Sequence, residues 1–127
     1  MIIGSGIDIV NIERMERVLS RWGTLFLNRV YTEKEISWCQ QKRHPSECFA
    51  IRFAAKEAFL KALGLGLRNG IRWRDIEVEN DPMGKPFLSL HRKAKEILQT
   101  YRVERMFLTL SHDYPYAVAH VLLEGNG

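Results

Sequence analysis

The chain has 127 residues, 46% of them hydrophobic and 27% charged, which fits one globular domain spanning 1–127 and excludes a disordered or collagen-like polymer. Nineteen Lys and Arg against fifteen Asp and Glu leave a net charge of +4, a balance suited to an anionic partner such as nucleic acid, a phosphorylated ligand or an acidic protein. No apolar run nears the ~18 residues that a membrane helix needs, and Met1-Ile2-Ile3-Gly4 lacks a basic leader segment, so no membrane association and a cytoplasmic location are expected.

In chain order, Ile2 to Val10 reads as a buried strand, rich in Ile and Gly. Asn11 supplies an N-cap for a helix running to Leu19 or Trp22. Thr32-Glu33-Lys34-Glu35 is a capping box that opens a short helix through Cys39 and Lys42. Pro45 and Ser46 start the longest helix, which stops at Gly64. The three glycines of Gly64–Gly70 make a loop. A strand over Asp75–Glu79, a turn at Asp81-Pro82-Met83-Gly84 and a strand over Pro86–Leu90 follow. His91–Tyr101 has a helical pattern, and strands Met106–His112 and Tyr116–Leu123 flank Asp113-Tyr114-Pro115. Helices gather in the first half and strands in the second, without βαβ alternation. The fold class is therefore α+β: helices, one of them long and central, packed on one face of a mostly antiparallel sheet. Cys39 and Cys48 are nine apart, the spacing of neither a redox CxxC nor a zinc pair, and two reduced structural thiols are expected.

Two carboxylates stand where apolar residues belong. Asp8 lies inside Gly6-Ile7-Asp8-Ile9-Val10, and a lone acid in a buried strand is costly unless it is paired, caps the next helix or meets a cation. On the long helix, at about 100° per residue, Phe53 and Leu60 fall on one side of Glu57 and Ala50 and Ala54 on the other. Glu57 thus sits inside the apolar stripe, with Lys61 one turn on; a surface i,i+4 pair is the alternative. Two acids converging from a strand and a helix suit magnesium, which takes one or two carboxylates and fills its shell with water and phosphate oxygens. A neighbouring lysine then neutralises charge growing on phosphate. The expected chemistry is magnesium-assisted reaction at a phosphate, shared by a phosphate-ester hydrolase and a transferase alike.

Other patterns carry less. Gly64-Leu65-Gly66-Leu67-Arg68-Asn69-Gly70 is one residue too long for a dinucleotide fingerprint and follows a helix rather than a strand. Ser111-His112-Asp113 cannot form a relay, because consecutive strand residues point to opposite faces. Lys42-Arg43-His44 reads as a solvated basic turn. Arg68, Arg72 and Arg74 lack interleaved aromatics, and no nucleic-acid partner is expected.

Gly6-Ile7-Asp8-Ile9-Val10-Asn11-Ile12-Glu13-Arg14 resembles the N-terminal motif of holo-acyl-carrier-protein synthases. Phe53-Ala54-Ala55-Lys56-Glu57-Ala58-Phe59-Leu60-Lys61-Ala62-Leu63-Gly64 resembles the signature helix of 4′-phosphopantetheinyl transferases. Asp75-Ile76-Glu77-Val78, Gly84-Lys85-Pro86 and Leu110-Ser111-His112 fall in the same family's order. The resemblance implies transfer of 4′-phosphopantetheine from coenzyme A to a serine of apo acyl carrier protein in fatty-acid synthesis, leaving adenosine 3′,5′-bisphosphate. It implies that Asp8 and Glu57 hold magnesium and that Lys61 contacts the phosphates. Arg52, Lys56, Gly84, Lys85, Pro86 and His112 are the further coenzyme A candidates. Arg52 and Lys56 are the weaker ones on geometry, since they lie roughly 140° and 100° round the helix from Glu57. The resemblance also implies a homotrimer with sites between subunits. Arg14, Arg17 and Arg21 share one broad helix face, the expected docking surface for an acidic carrier protein.

Overall fold

The structure is a computed structural model and describes residues 1–126; Gly127, the last residue of the expected domain, lies outside the described residues. Five strands and five helices follow one another as β1 (Ile2–Asn11), α1 (Ile12–Trp22), α2 (Thr24–Val30), α3 (Glu33–Gln40), α4 (Pro45–Leu63), β2 (Ile76–Asn80), β3 (Pro86–Leu90), α5 (Arg92–Thr100), β4 (Val103–Asp113) and β5 (Tyr116–Gly125). A 3₁₀ turn at Trp73–Asp75 leads into β2. The strands form two antiparallel sheets rather than one: β1-β5-β4, with β5 central, and the β2–β3 hairpin.

The caps act as their residue types require. Asn11 Oδ1 accepts from the Arg14 amide at 2.9 Å, and Thr32 and Glu35 close a reciprocal capping box. Gly64, at φ 73°, ends α4: its amide bonds to Lys61 O at 3.0 Å and that of Leu65 to Leu60 O at 2.9 Å, the paired bonds of a Schellman motif. The short helix α2 has no sequence counterpart above. Gly23, at φ 52°, separates it from α1, and it has no side-chain cap to announce it. It forms because Leu27 and Val30 bury against the neighbouring helices.

α4 lies between the inner face of the three-stranded sheet and the other elements. Phe49, Ala50, Ala54, Ala55, Ala58, Phe59 and Leu60 are all buried, so burial runs nearly round the helix. The sequence placed Glu57 at the centre of a buried stripe; instead Phe53, Glu57 and Lys61 follow the helix's open edge. Packing on both sides of α4 is the cause. The contact with β1 is unusually close: a Cβ on Gly4 or Gly6 would lie 2.0 Å from the carbonyl oxygens of Ala62 or Ala58. Only glycine permits this approach, and period-two alternation then aims Asp8 at the same helix.

The expectation of two reduced cysteines is corrected. Cys39 and Cys48 form a disulfide with a Cα–Cα separation of 5.4 Å, because the last turn of α3 and the first turns of α4 meet across the short Gln41–His44 connection. Spacing along the chain could not show that proximity.

Candidate active site

The acid end of α4 faces β1 and α1. Lys61 Nζ donates to Asp8 Oδ1 at 2.8 Å and to the Ile7 carbonyl at 3.1 Å. The Asp8 side chain is 14% exposed and that of Lys61 52%. Glu57, one turn before Lys61, is partly buried. Its carboxyl is held above the ordinary carboxylate range, first by burial and then by the Asp8 charge, with Lys61 opposing. A cavity of about 430 Å³ opens here, lined by Asp8, Asn11, Arg14, Phe53, Glu57 and Lys61 among others.

This donor set fits a hard cation. Burial and the neighbouring Asp8 charge disfavour the ionised form of Glu57, and a cation between the two carboxylates would relieve that cost. Among the described residues no group of three or more His, Cys, Asp and Glu is assembled. Asp8 and Glu57 would therefore be the protein's whole contribution, the remaining oxygens coming from water and substrate.

The other end of α4 is basic. A cavity of about 450 Å³ is lined by Lys42, Arg43, His44, Arg52, Pro86 and His112, among others. Arg52 is only 5% exposed. Its Nη2 donates to Asn80 Oδ1 at 2.8 Å, its Nε lacks a partner, and among the described residues no carboxylate pairs with it. Burial lowers its pKa below the ordinary value. A buried guanidinium with no carboxylate in contact is costly, though the charges of Glu35 and Glu77 favour it from a distance, and an anion would relieve it. His112 Nε2 lies 3.2 Å from Glu47 Oε1, and Lys42 Nζ sits 4.0 Å over the Trp38 ring. The basic triplet Lys42-Arg43-His44 is thus part of a cavity rather than a plain solvated turn. The available signal was its position directly before Pro45, the first residue of the longest helix.

The remaining candidates divide. Arg14 lines the acid cleft; Arg17 and Arg21 are exposed on α1, with Arg21 5.1 Å over Trp22. Gly84 and Lys85 sit in the β2–β3 turn, and of that triplet Pro86 alone reaches the basic cavity. Lys56 is placed in neither. It is fully buried, its ammonium 2.8 Å from Glu35 Oε1 and bonded also to the carbonyls of Trp73, at 3.1 Å, and Ile76. All three of its hydrogens are engaged, so the structure gives it an internal partner where the sequence offered it a phosphate. Glu35 also accepts from Thr32 and Val78 amides, and this buried ion pair had no signal in the sequence beyond the capping box.

An α+β fold that brings two carboxylates and a lysine into one cleft has the residue types for chemistry at a phosphate. The model of the 4′-phosphopantetheinyl transferase superfamily matches residues 4–119. A holo-[acyl-carrier-protein] synthase of Geobacter sp. (strain M21) is 50% identical over 124 residues, which cover 98% of this chain and 99% of that one. The crystal structure of the synthase from Neisseria meningitidis superposes with a TM-score of 0.90 at 35% identity, covering 98% and 99% of the two chains. That of the Helicobacter pylori synthase in complex with coenzyme A gives 0.83 at 33%, covering 94% and 99%. The chain belongs to the 4′-phosphopantetheinyl transferase superfamily, as an enzyme of its holo-[acyl-carrier-protein] synthase family.

Proposed function

We propose that this single-domain enzyme transfers 4′-phosphopantetheine from coenzyme A to a serine hydroxyl of an apo acyl carrier protein and releases adenosine 3′,5′-bisphosphate. The observation that carries the reading is the cleft in which Asp8, Glu57 and Lys61 meet. The relatives' names and the coenzyme A complex of the Helicobacter pylori synthase support it.

The serine hydroxyl attacks the phosphorus bearing the pantetheine arm, a P–O bond to serine forms as its proton is lost to solvent, and the P–O bond to the nucleotide phosphate breaks, that phosphate leaving with the nucleotide. Magnesium bound by Asp8 and Glu57 would neutralise charge on the pyrophosphate. Lys61, already 2.8 Å from Asp8, holds a second positive charge at the cleft, where charge builds on the phosphate oxygens in the transition state. The nucleophile belongs to the carrier protein, so no serine of this chain needs activation. The basic cavity with Arg52 and His112 suits a phosphate of coenzyme A, whereas Lys56 takes no part. Arg14, at the cleft, with exposed Arg17 and Arg21 would dock the acidic carrier.

The same reading includes a homotrimer with sites between subunits. Its support is the outer face of the β1-β5-β4 sheet, where Ile7 and Ile9 are each 61% exposed, beside Phe107 at 47% and Tyr116 at 49%; an apolar face of that kind calls for a partner. A role in fatty-acid synthesis and a cytoplasmic location complete the proposal. Among the described residues no helix is long and apolar enough to cross a membrane.

Intact-mass spectrometry of apo carrier protein incubated with this enzyme, coenzyme A and magnesium tests the reading. The expected result is a phosphopantetheine-sized gain that disappears with EDTA. Coenzyme A cleavage without any gain on the carrier would instead establish a phosphate-ester hydrolase.

A further inference from the structure

The disulfide lies against the basic cavity. Cys39, fully buried at the end of α3, is joined to Cys48 in the first turns of α4. The bond closes a loop whose connecting residues include Lys42, Arg43 and His44, which line that cavity. Cys48 lines it too, and its sulfur is 3.9 Å from Arg52 Nη1. One covalent bond therefore fixes both the loop that supplies three basic side chains and a turn of the helix that supplies the buried guanidinium.

We propose that Cys39 and Cys48 are a redox-modifiable pair that sets the affinity of the basic cavity for a nucleotide phosphate, tight when disulfide-bonded and weaker when reduced. The inference rests on the reading of this cavity as a coenzyme A phosphate site.

Reduction by a dithiol moves two electrons and two protons. The Cys39–Cys48 bond breaks, each sulfur gains a hydrogen, and the two sulfurs of the reductant join in a new disulfide. Attack is directed at Cys48, the sulfur with access to the cavity, because Cys39 is fully buried. Once the bond is cut, the loop between α3 and α4 must be ordered on binding, a cost that the disulfide otherwise removes in advance. The site is built of side chains that are worth most when held in place, as Arg52 is by Asn80.

The test uses the full-length protein and adenosine 3′,5′-bisphosphate as probe. Titration calorimetry compares the air-oxidised protein, the protein reduced with dithiothreitol, and a Cys39→Ala variant in both conditions. Oxidised wild type should bind about tenfold more tightly than reduced, and Cys39→Ala should match the reduced protein in both conditions. After reduction, iodoacetamide should label Cys48 before Cys39, and the nucleotide should slow that labelling. Equal affinity in both redox states, with binding intact, overturns the switch and leaves the site. Two free thiols in the air-oxidised protein, counted by mass after alkylation, also overturn it. No binding in any state removes the phosphate-site reading itself and this inference with it. Circular dichroism separates a Cys39→Ala folding defect from a binding defect, and the dithiothreitol comparison stands without the variant.

Discussion

The two ends of α4 solve opposite electrostatic problems on one helix. Toward its C-terminus, Glu57 faces Asp8 across a cleft, and Lys61 provides one positive charge for two carboxylates. Toward its N-terminus, Arg52 is buried without a carboxylate partner, in a cavity lined by Lys42, Arg43 and His112. At each end one charged group has no ion-pair partner among the described residues, Glu57 at the first and Arg52 at the second, and these are the groups that the proposed cation and phosphate would meet. Lys56, between them, shows the contrast. It is as cationic as Arg52, but its charge is matched inside the protein by Glu35, and it invites no ligand. An unbalanced buried charge marks a binding site, whereas a balanced one marks architecture.

The largest expected effect breaks the acid end. Asp8→Ala or Glu57→Ala should lower transfer to acyl carrier protein by on the order of a thousandfold, measured by the carrier's mass gain, because the charge on the reacting phosphate loses its main counterweight. If either variant kept full turnover, the cleft would not be the reacting centre. Next comes the balanced middle. Lys56→Ala leaves Glu35 buried and unpaired and should cost about 3–5 kcal/mol in urea denaturation, whereas Lys56→Met combined with Glu35→Gln, which removes both charges and keeps a side-chain oxygen to accept from a backbone amide, should recover part of that loss. A phosphate contact at Lys56 would give the reverse pattern, a binding defect with stability unchanged.

At the basic end, Arg52→Gln should raise KM for coenzyme A by about tenfold while kcat changes little, as for loss of uniform ground-state binding. On α1, Arg14→Glu should raise KM for the carrier protein a few-fold, with a defect that shrinks at high salt. The smallest effect is in pH. Glu57 is held above the ordinary carboxylate range, so the folded state binds the proton more readily than the unfolded state. Its contribution is intact below the unfolded value and is lost as pH rises to the folded one. The stability advantage of Glu57→Gln over wild type should therefore grow across that window, in thermal melts without divalent cations, and then level off.

Local rules made much of the molecule legible. The Asn11 cap, the Thr32–Glu35 box, Pro45 and Gly64 mark helix ends through bonds among neighbours in sequence. That Asp8 needs a partner was legible, because a charged residue inside a hydrophobic run demands one; that Lys61 bonds it was not, since the helical spacing offered Lys61 to Glu57 instead. What escaped depends on distant contacts. Helix α2 has no side-chain cap and is held by burial of Leu27 and Val30. The Cys39–Cys48 bond follows from how α3 abuts α4, and the Lys56–Glu35 pair joins residues 21 apart. The apolar pattern about Glu57 was real but incomplete, since a helix packed on both sides buries more than one stripe. The basic triplet was visible as charge, not as the wall of a cavity.

The most direct test of the contrast between the ends of α4 is calorimetric titration of magnesium into the enzyme with and without coenzyme A, for wild type, Glu57→Gln and Arg52→Gln. Two protein carboxylates alone hold magnesium weakly, so binding should strengthen at least tenfold when coenzyme A contributes phosphate oxygens. Glu57→Gln should abolish that binding at saturating coenzyme A, while Arg52→Gln should only require more coenzyme A to reach it. Magnesium bound equally well by wild type and Glu57→Gln would contradict the assignment of the acid end as the cation site.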